Sequence, residues 1–250
     1  MKKIFYILLG ICMLSCSSSN DEAIEDTRDL QPDKSYEFYI DTPYSSSTSV
    51  NNGHYQFTYE NGNLKTVFGL NEKSLPTNSI SLSYQDNQVK VFDAVNNSTN
   101  AYTIHTIENN KLVKSEFYNF VSVLGKTRSY TYEKGIISVY EEKGGNQDAI
   151  ITYYFNNDNN LVKQEKLERI GGANLGLNTI IYSDFDKAKN PFKKLGLVND
   201  SWFAKSLSTN NFRKVEISYI SFTNQDVSTK IYNCVYKYDS KGQVLLYHPL

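Results

Sequence analysis

Three histidines are the first candidates for chemistry, because nucleophilic hydrolysis needs a base beside a serine or cysteine and an acid that orients the base. His54 and His105 fall on expected strands, and His248 lies two residues from the end of the sequence. No Gly-x-Ser-x-Gly motif accompanies them. Isolated strand histidines are usually surface residues or hydrogen-bonded core residues. The sequence therefore predicts no catalytic residue and a protein that is not an enzyme.

Metal and phosphate sites are not indicated either. Oxygen donors alternate at Asp184, Asp186 and Asn190, but the glycine and glutamate that a calcium loop needs at its sixth and twelfth positions are missing. No His and Cys cluster has the spacing of a zinc site. The glycines between 171 and 176 have phosphate-loop spacing, yet Leu177-Asn178 follows them instead of Lys-Ser or Lys-Thr. We predict a polar turn, a linker, and neither metal nor cofactor.

Carbohydrate chemistry is the remaining alternative, since two carboxylates in a cleft can hydrolyse a glycosidic bond and their separation in space is hidden in a sequence. The acidic residues of the expected strands read as solvated charges; they are Glu133, Glu141, Glu142 and Glu165. Exposed aromatic rings can stack on sugars. Trp202, on an irregular segment, is the candidate ligand-binding residue, and packing in the core is its alternative.

The first sixteen residues indicate export. A basic start, Met1-Lys2-Lys3, precedes an apolar run over residues 4–14 that is shorter than the ~20 residues of a spanning helix. Ser15-Cys16 at the end of this run resembles the bacterial lipobox, which implies cleavage before Cys16 and its lipidation by diacylglyceryl and fatty acyl groups. Ordinary secretion is the alternative. We predict a signal peptide at 1–15, an acidic flexible tether at 16–35 and one β-rich domain at 36–250.

The predicted tether is rich in serine and acidic residues, and it resembles the export segments of surface lipoproteins of Bacteroidota. We therefore expect an outer-membrane protein held to the lipid bilayer by its N-terminal acyl anchor, on the cell surface rather than the periplasmic face. Formal net charge is −1, without the basic surplus of nucleic-acid-binding domains, so no nucleic acid partner is expected. Cys234 would be the one cysteine left in the folded part, and it reads as a small buried residue.

The body of the sequence repeats a hairpin. An alternating strand ends in a large apolar residue, a polar turn follows, and an aliphatic residue starts the return strand; the turns are 60–63, 85–88, 108–111, 133–136, 156–160 and 239–243. The strand-ending residues 59, 84, 107, 132 and 155 are spaced by 25, 23, 25 and 23. With 20 Tyr and 13 Phe, this predicts an all-β antiparallel meander of ten or so strands, a twisted sheet or an open barrel.

Residues 171–212 break the rhythm and predict a small irregular or helical insertion. Leu195–Leu207 could hold a short helix with Trp202 and Phe203 on its packed side. We interpret the segment as a cap or plug for one end of the sheet; a functional loop is the alternative. We also expect Tyr232, Cys234, Tyr236 and Tyr238 to share one face of the last strand.

The hairpins carry a family resemblance. Tyr130-Thr-Tyr-Glu with Gly135, and Tyr236-Lys-Tyr-Asp with Gly242, resemble YD (RHS-type) repeats. The phrase Tyr182-Ser-Asp-Phe-Asp-Lys before Asn190-Pro191-Phe192 resembles uncharacterised Bacteroidota lipoproteins of the DUF4595-like kind. The resemblance covers most of the chain from about residue 50, implies the fold, and brings no activity.

Three functions remain open at the level of sequence. The first is a non-enzymatic binding or interaction module at the cell envelope, with an unknown glycan, peptide or protein partner, and it is the one we favour. The second is a periplasm-facing carrier of an apolar ligand or an envelope-assembly factor, which would need an apolar cavity. The third is a carbohydrate-active enzyme, which would need two carboxylates in a cleft.

Overall fold

The computed structural model describes residues 30–40, 53–71, 73–93, 101–224 and 226–248, so the predicted signal peptide and Cys16 lie outside the described residues. Fourteen strands form one antiparallel sheet in which neighbours in sequence are neighbours in space. They are β1 Lys34–Tyr36, β2 His54–Glu60, β3 Asn63–Leu70, β4 Pro76–Gln85, β5 Gln88–Asp93, β6 Ala101–Glu108, β7 Lys111–Tyr118, β8 Leu124–Glu133, β9 Ile136–Lys143, β10 Gln147–Phe155, β11 Leu161–Ile170, β12 Ala173–Phe185, β13 Phe212–Ser221 and β14 Val227–Asn233.

The remaining elements are small. A two-stranded sheet pairs β15 Lys237–Tyr238 with β16 Val244–Leu245. The helices are α1 Glu37–Ile40 and α2 Asp200–Leu207, and a 3₁₀ turn spans Lys193–Leu195. The all-β antiparallel meander is thus confirmed, and the sheet is twisted and open, with β1 and β14 as its edges.

The sheet has more strands than the sequence predicted. Gly171 and Gly172 both have positive φ, 55° and 82°, and they turn the chain back from β11 into β12. The expectation of an irregular segment starting at residue 171 was therefore wrong in extent, because only glycine adopts this turn without strain and the pair makes a hairpin, not a linker. The irregular segment, which we call the plug, runs from residue 186 to residue 211.

The repeated hairpins have a structural reason for their tyrosines. The hydroxyl of Tyr84, at the end of β4, donates to the carbonyl of Leu64, at the start of the preceding return strand. Tyr132 donates in the same way to Leu112. Each of these tyrosines therefore ties its own hairpin to the hairpin before it, and all six predicted turns join paired strands.

The sheet curls around the plug. On α2, the Trp202 ring lies 5.3 Å from Tyr55 of β2, while the Phe203 ring lies 5.7 Å from Tyr153 of β10. Eight strand spacings separate β2 from β10, which would be about 38 Å on a flat sheet. Two adjacent helical residues can contact both strands only because the inner face of the sheet, the one that carries the plug, wraps around them.

Two apolar clusters fill the interior. The first joins β2 to β5 with Leu195, Trp202 and the C-terminal residues Tyr236 and Leu246. The second joins strands between β8 and β13 with Ala204 of α2. Between them, β6, β7 and β8 contribute the buried polar side chains of His105, Ser115 and Arg128 to the inner face.

The C-terminal segment lies between the two edges of the sheet. Cys234 donates its N–H to the Arg213 carbonyl on β13, and the Leu246 carbonyl accepts from the Tyr36 N–H on β1, 2.9 Å away. β14 ends at Asn233, so the expectation that residues 232–238 form one strand was wrong. The backbone leaves the sheet there and crosses toward β1, which places Tyr236 in the core instead of on a strand face.

Candidate functional site

A row of apolar side chains crosses the outer face of the sheet. Phe92, Tyr102, Tyr118 and Leu124 are successive cross-strand partners on β5, β6, β7 and β8. The ring centroids of Tyr102 and Tyr118 are 4.6 Å apart in a stacked arrangement. Lys90 places its ammonium 4.0 Å from the Tyr102 centroid. Side chains alternate along a strand, and since Val91 is buried on the inner face, Phe92 faces outward.

The row continues into the β7–β8 loop, where apolar side chains are unusually exposed. Phe120, Val121, Val123 and Leu124 expose 64, 59, 57 and 46 % of their surface. Together with Phe92, Tyr102 and Tyr118 they form what we call the apolar patch. Contiguous exposed apolar surface of this kind marks interaction sites, because it gains free energy only when something covers it.

Asn119 gives the loop a defined conformation. Its side-chain oxygen accepts from the N–H groups of Val121 and Val123 at 3.1 and 3.0 Å. The Asn119 N–H donates to the Val123 carbonyl, and the Ser122 N–H donates to the Asn119 carbonyl. Ser122 takes the left-handed conformation, with φ 60°. The exposed apolar side chains therefore project from an ordered loop, which lowers the entropy cost of docking.

The same loop occurs three more times among the residues that the structure describes. The loops 71–75, 156–160 and 239–243 repeat the side-chain acceptor at the first position and the positive φ at the fourth. The loops 156–160 and 239–243 have the sequences Asn-Asn-Asp-Asn-Asn and Asp-Ser-Lys-Gly-Gln, which are polar throughout. The loop geometry thus does not require Phe120, Val121 or Val123 to be apolar. Residues 119–123 are not among the six turns predicted from the sequence, so these exposed side chains were missed.

On the inner face, Arg128 holds two carboxylates. It pairs with Glu141 of β9 at 2.5 Å and with Asp200 at the start of α2. Arg128 and Glu141 are 4 and 1 % exposed. Burial works to raise the pKa of Glu141, but the charges of Arg128 and Lys126 outweigh burial and lower this pKa to about 2. The pKa of Asp200 is also lowered: burial opposes the shift, and its hydrogen bonds to Arg128 overcome it.

Beside this ion pair, His105 joins the sheet to the plug. Its Nε2 lies 3.0 Å from the Leu197 carbonyl, which can only accept, so Nε2 carries the proton. Nδ1 then accepts from the Ser115 hydroxyl at 2.8 Å, and Tyr130 lies 3.2 Å from the same hydroxyl. Burial lowers the pKa of His105 to about 4. The serine thus donates to a histidine that is already fixed to a backbone carbonyl, which is a structural arrangement.

Of the residues that the sequence singled out, His105 and Glu141 belong to this inner-face cluster, where Glu141 is buried and not solvated as expected, whereas Trp202, Cys234 and Asp186 lie apart from it. Trp202 is 1 % exposed and packs edge-on against Tyr55 and Phe57, so a ligand that stacked on its indole would first have to displace these rings. Cys234 packs against both core clusters, and burial raises the pKa of its thiol. The Asp186 carboxylate is bound by Asn211 and by the Tyr238 hydroxyl.

Metal sites and membrane-spanning helices are absent from the part of the chain that the structure describes. Within those ranges, no group of three or more His, Cys, Asp and Glu side chains could hold a metal ion. No helix formed by those residues has the length and apolarity to cross a membrane.

No protein-family model matches the chain, and neither does any curated protein. Its fold is similar to that of a porin-like protein from Bacteroides vulgatus ATCC 8482, with a TM-score of 0.52 and 11 % sequence identity over 79 % of this chain and 87 % of that one. A porin-like protein from Bacteroides uniformis ATCC 8492 gives a TM-score of 0.49 at 11 % identity over 87 and 89 % of the two chains. At such identities the likeness concerns the fold alone, and membership of the DUF4595-like lipoproteins stays a prediction.

Proposed function

We propose that this protein is a non-enzymatic interaction module of the bacterial cell envelope, which docks onto a partner protein through the apolar patch. The observation that carries the proposal is the β7–β8 loop, where Phe120, Val121 and Val123 are exposed on a conformation that two polar loops of the same chain also adopt. Apolar side chains that the fold does not need, held in an ordered loop, are the physical signature of a docking surface.

The position of the patch favours a partner protein over the protein's own membrane. The Gln31 side chain donates to the Gly62 carbonyl, so the chain enters the sheet at the end that carries the β2–β3 turn. The β7–β8 loop lies at the opposite end of the strands. The part of the predicted tether that precedes the described residues, 16–29, would reach at most about 50 Å. With the anchor at Cys16, the patch would lie at the strand ends away from the tether, so contact with the protein's own bilayer would require the domain to fold back on its tether.

The inner face supports a role without catalysis. Glycoside hydrolysis needs one carboxyl group that stays protonated, with a raised pKa, to act as general acid. Glu141 and Asp200 instead share the cation of Arg128, and the pKa of each is lowered. A carboxylate pair held ionised in this way positions α2 on the sheet rather than delivering a proton.

Docking is tested with a loop exchange taken from the chain itself. In residues 16–250 carrying Cys16→Ala, without the predicted signal peptide, residues 120–123 are replaced by the Ser-Lys-Gly-Gln of residues 240–243. Binding of both chains to isolated envelopes of the producing bacterium is measured by sedimentation. We expect at least a tenfold weaker affinity for the exchanged loop, since three apolar side chains lose their burial.

Two controls give the result its meaning. Envelopes treated with protease should no longer bind the native loop, whereas vesicles made from the extracted lipids should bind neither chain. Equal binding of the two chains to intact envelopes would overturn the docking proposal. Strong binding of the native loop to the lipid vesicles would replace the partner protein by the bilayer.

The envelope location is tested separately. We expect labelled fatty acid to be incorporated into the full chain and not into the Cys16→Ala variant. We also expect external protease to digest the chain on intact cells while a periplasmic marker survives. Protection until the cells are permeabilised would move the protein to the periplasmic face, and labelling that does not depend on Cys16 would remove the predicted anchor.

A further inference from the structure

A half-open groove lies between the sheet and the plug, at the gap between the two apolar clusters. It has a volume of about 350 Å³. This is the size range of small-molecule binding sites in proteins, about 300–1,000 Å³. Its floor is apolar and combines strand residues with plug residues; they are Leu64, Ile107, Leu112, Leu197, Phe203 and Leu207.

Two tyrosines form the walls and present their ring hydrocarbon to the groove. The hydroxyl groups of Tyr84 and Tyr132 are engaged by the carbonyls of Leu64 and Leu112 at 2.8 Å each. Tyr84 nevertheless exposes 42 % of its surface. Because the polar tips of both side chains are already hydrogen-bonded, what they offer a ligand is apolar surface.

The rim of the groove is cationic. Lys111 at the start of β7 and Lys193 and Lys194 of the 3₁₀ turn line it. The Lys111 ammonium lies 5.0 Å from the centroid of the Tyr132 ring, which places positive charge directly beside the apolar wall. Charge at the mouth and hydrocarbon on the floor complement a ligand with an anionic head and an apolar tail.

We propose that this groove binds a single-chain anionic amphiphile, with the acyl chain between the sheet and the plug and the acidic head group at Lys111, Lys193 and Lys194. A different, smaller pocket lies beside His105, whose Nε2 donates to the Leu197 carbonyl. The groove is a second site on the opposite face of the sheet from the apolar patch. It goes beyond the docking function and does not depend on it.

The test uses residues 16–250 with Cys16→Ala, so that neither the apolar run of the predicted signal peptide nor an acyl group of the chain competes for the groove. Binding of 11-(dansylamino)undecanoic acid is followed by fluorescence and compared with binding of its uncharged methyl ester. We expect the acid to bind at least tenfold more tightly than the ester. Competition with lysophosphatidylglycerol and with unlabelled undecanoic acid shows whether a phosphate or a carboxylate head group is preferred. Displacement of the probe by either competitor supports the site.

Variants locate the binding. The triple change Lys111→Gln, Lys193→Gln and Lys194→Gln should weaken the acid about tenfold and leave the ester unchanged, since each exposed charge contributes modestly. Asn110→Asp, which adds a negative charge at the rim and keeps a residue that tolerates the positive φ of 59°, should weaken the acid in the same direction. Lys241→Gln, in the exposed β15–β16 turn, is the matched control and should change nothing.

Each possible result of these binding experiments bears on a different part of the proposal. Binding of acid and ester with equal affinity would overturn the anionic head group, and unaltered binding by both rim variants would overturn the groove as the site. No binding of the acid, the ester or the lysophospholipid at micromolar concentration would overturn the proposal as a whole. None of these results bears on the loop-exchange experiment, so the two proposals stand or fall separately.

Discussion

Arg128 is the residue on which the inner face depends most. It is buried, it neutralises the buried carboxylate of Glu141, and it reaches Asp200 on α2. Removing one partner of a buried pair is far more costly than removing an exposed pair, since the charge left behind loses its nearest partner in a medium of low dielectric. For Glu141, only the more distant ammonium groups of Lys126, Lys143 and Lys166 would remain, at 3.3–3.7 Å.

We therefore expect Arg128→Met to lower the free energy of unfolding by roughly 3 kcal/mol. Arg213→Met is the matched control. Arg213 also pairs with an aspartate, Asp184 at 2.6 Å, but the two side chains are 44 and 57 % exposed, so water screens the pair and the expected loss is much smaller than for Arg128→Met. Urea denaturation of both variants measures the difference, and similar losses in the two would contradict the role assigned to Arg128.

His105 gives the fold a sensitivity to acid. Its folded pKa of about 4 lies below the 6.5 of an unperturbed histidine. Between these two values the unfolded chain takes up a proton that the folded chain resists, so stability falls as pH falls through this window, by up to roughly 3 kcal/mol. Glu141 acts lower: its pKa drops from 4.5 to about 2, so its contribution is lost in that lower range.

The His105→Gln variant tests this assignment. Unfolding free energies of native and variant chains are compared at several pH values between 6.5 and 4. We expect the native chain to lose stability across the window and the variant to be nearly flat there, whatever its stability at neutral pH. An unchanged slope in the variant would assign the acid sensitivity to other groups.

At the scale of elements, one residue of the β7–β8 loop fixes its conformation and other residues form its exposed surface. Asn119 supplies the acceptor for two N–H groups, whereas Phe120, Val121 and Val123 contact solvent. We expect Asn119→Ala to cost about 1–2 kcal/mol, in the range of two lost hydrogen bonds. Exchange of residues 120–123 for Ser-Lys-Gly-Gln should change stability by less than about 0.5 kcal/mol. Thermal denaturation distinguishes them, and a large loss on exchange would make the apolar residues structural.

The sequence anticipates much at this scale and misses what needs three dimensions. Turns such as Asn61-Gly62 were predictable because few residue types adopt their left-handed backbone. Gly171-Gly172 is the same kind of turn signal. It was misread because the apolar and polar residues of β12 alternate too weakly for this strand to be recognised from the sequence. The hydrogen bonds of the loop 119–123 are recognised as a motif only when they are compared with the three other loops of this geometry. One of these loops, 71–75, was likewise not singled out from the sequence.

At the scale of the whole molecule, long-range contacts create the sites. The groove and the Arg128 cluster both need the plug to fold back onto strands far from it in sequence, and Asp200 meets Arg128 across 72 residues. Trp202 was a candidate ligand platform because its segment looked irregular. In the folded chain that segment is the centre of the interior, and the indole is part of the core that the sheet encloses.

The central claim is that the apolar patch is covered by a partner protein in the cell. The most direct measurement places a photo-crosslinking phenylalanine derivative at Val121, or at Lys241 in the equivalent polar loop, in the full chain within the producing bacterium. We predict a discrete protein adduct from position 121 that is absent from position 241. Identical adducts from both positions, or none from position 121, would contradict the account.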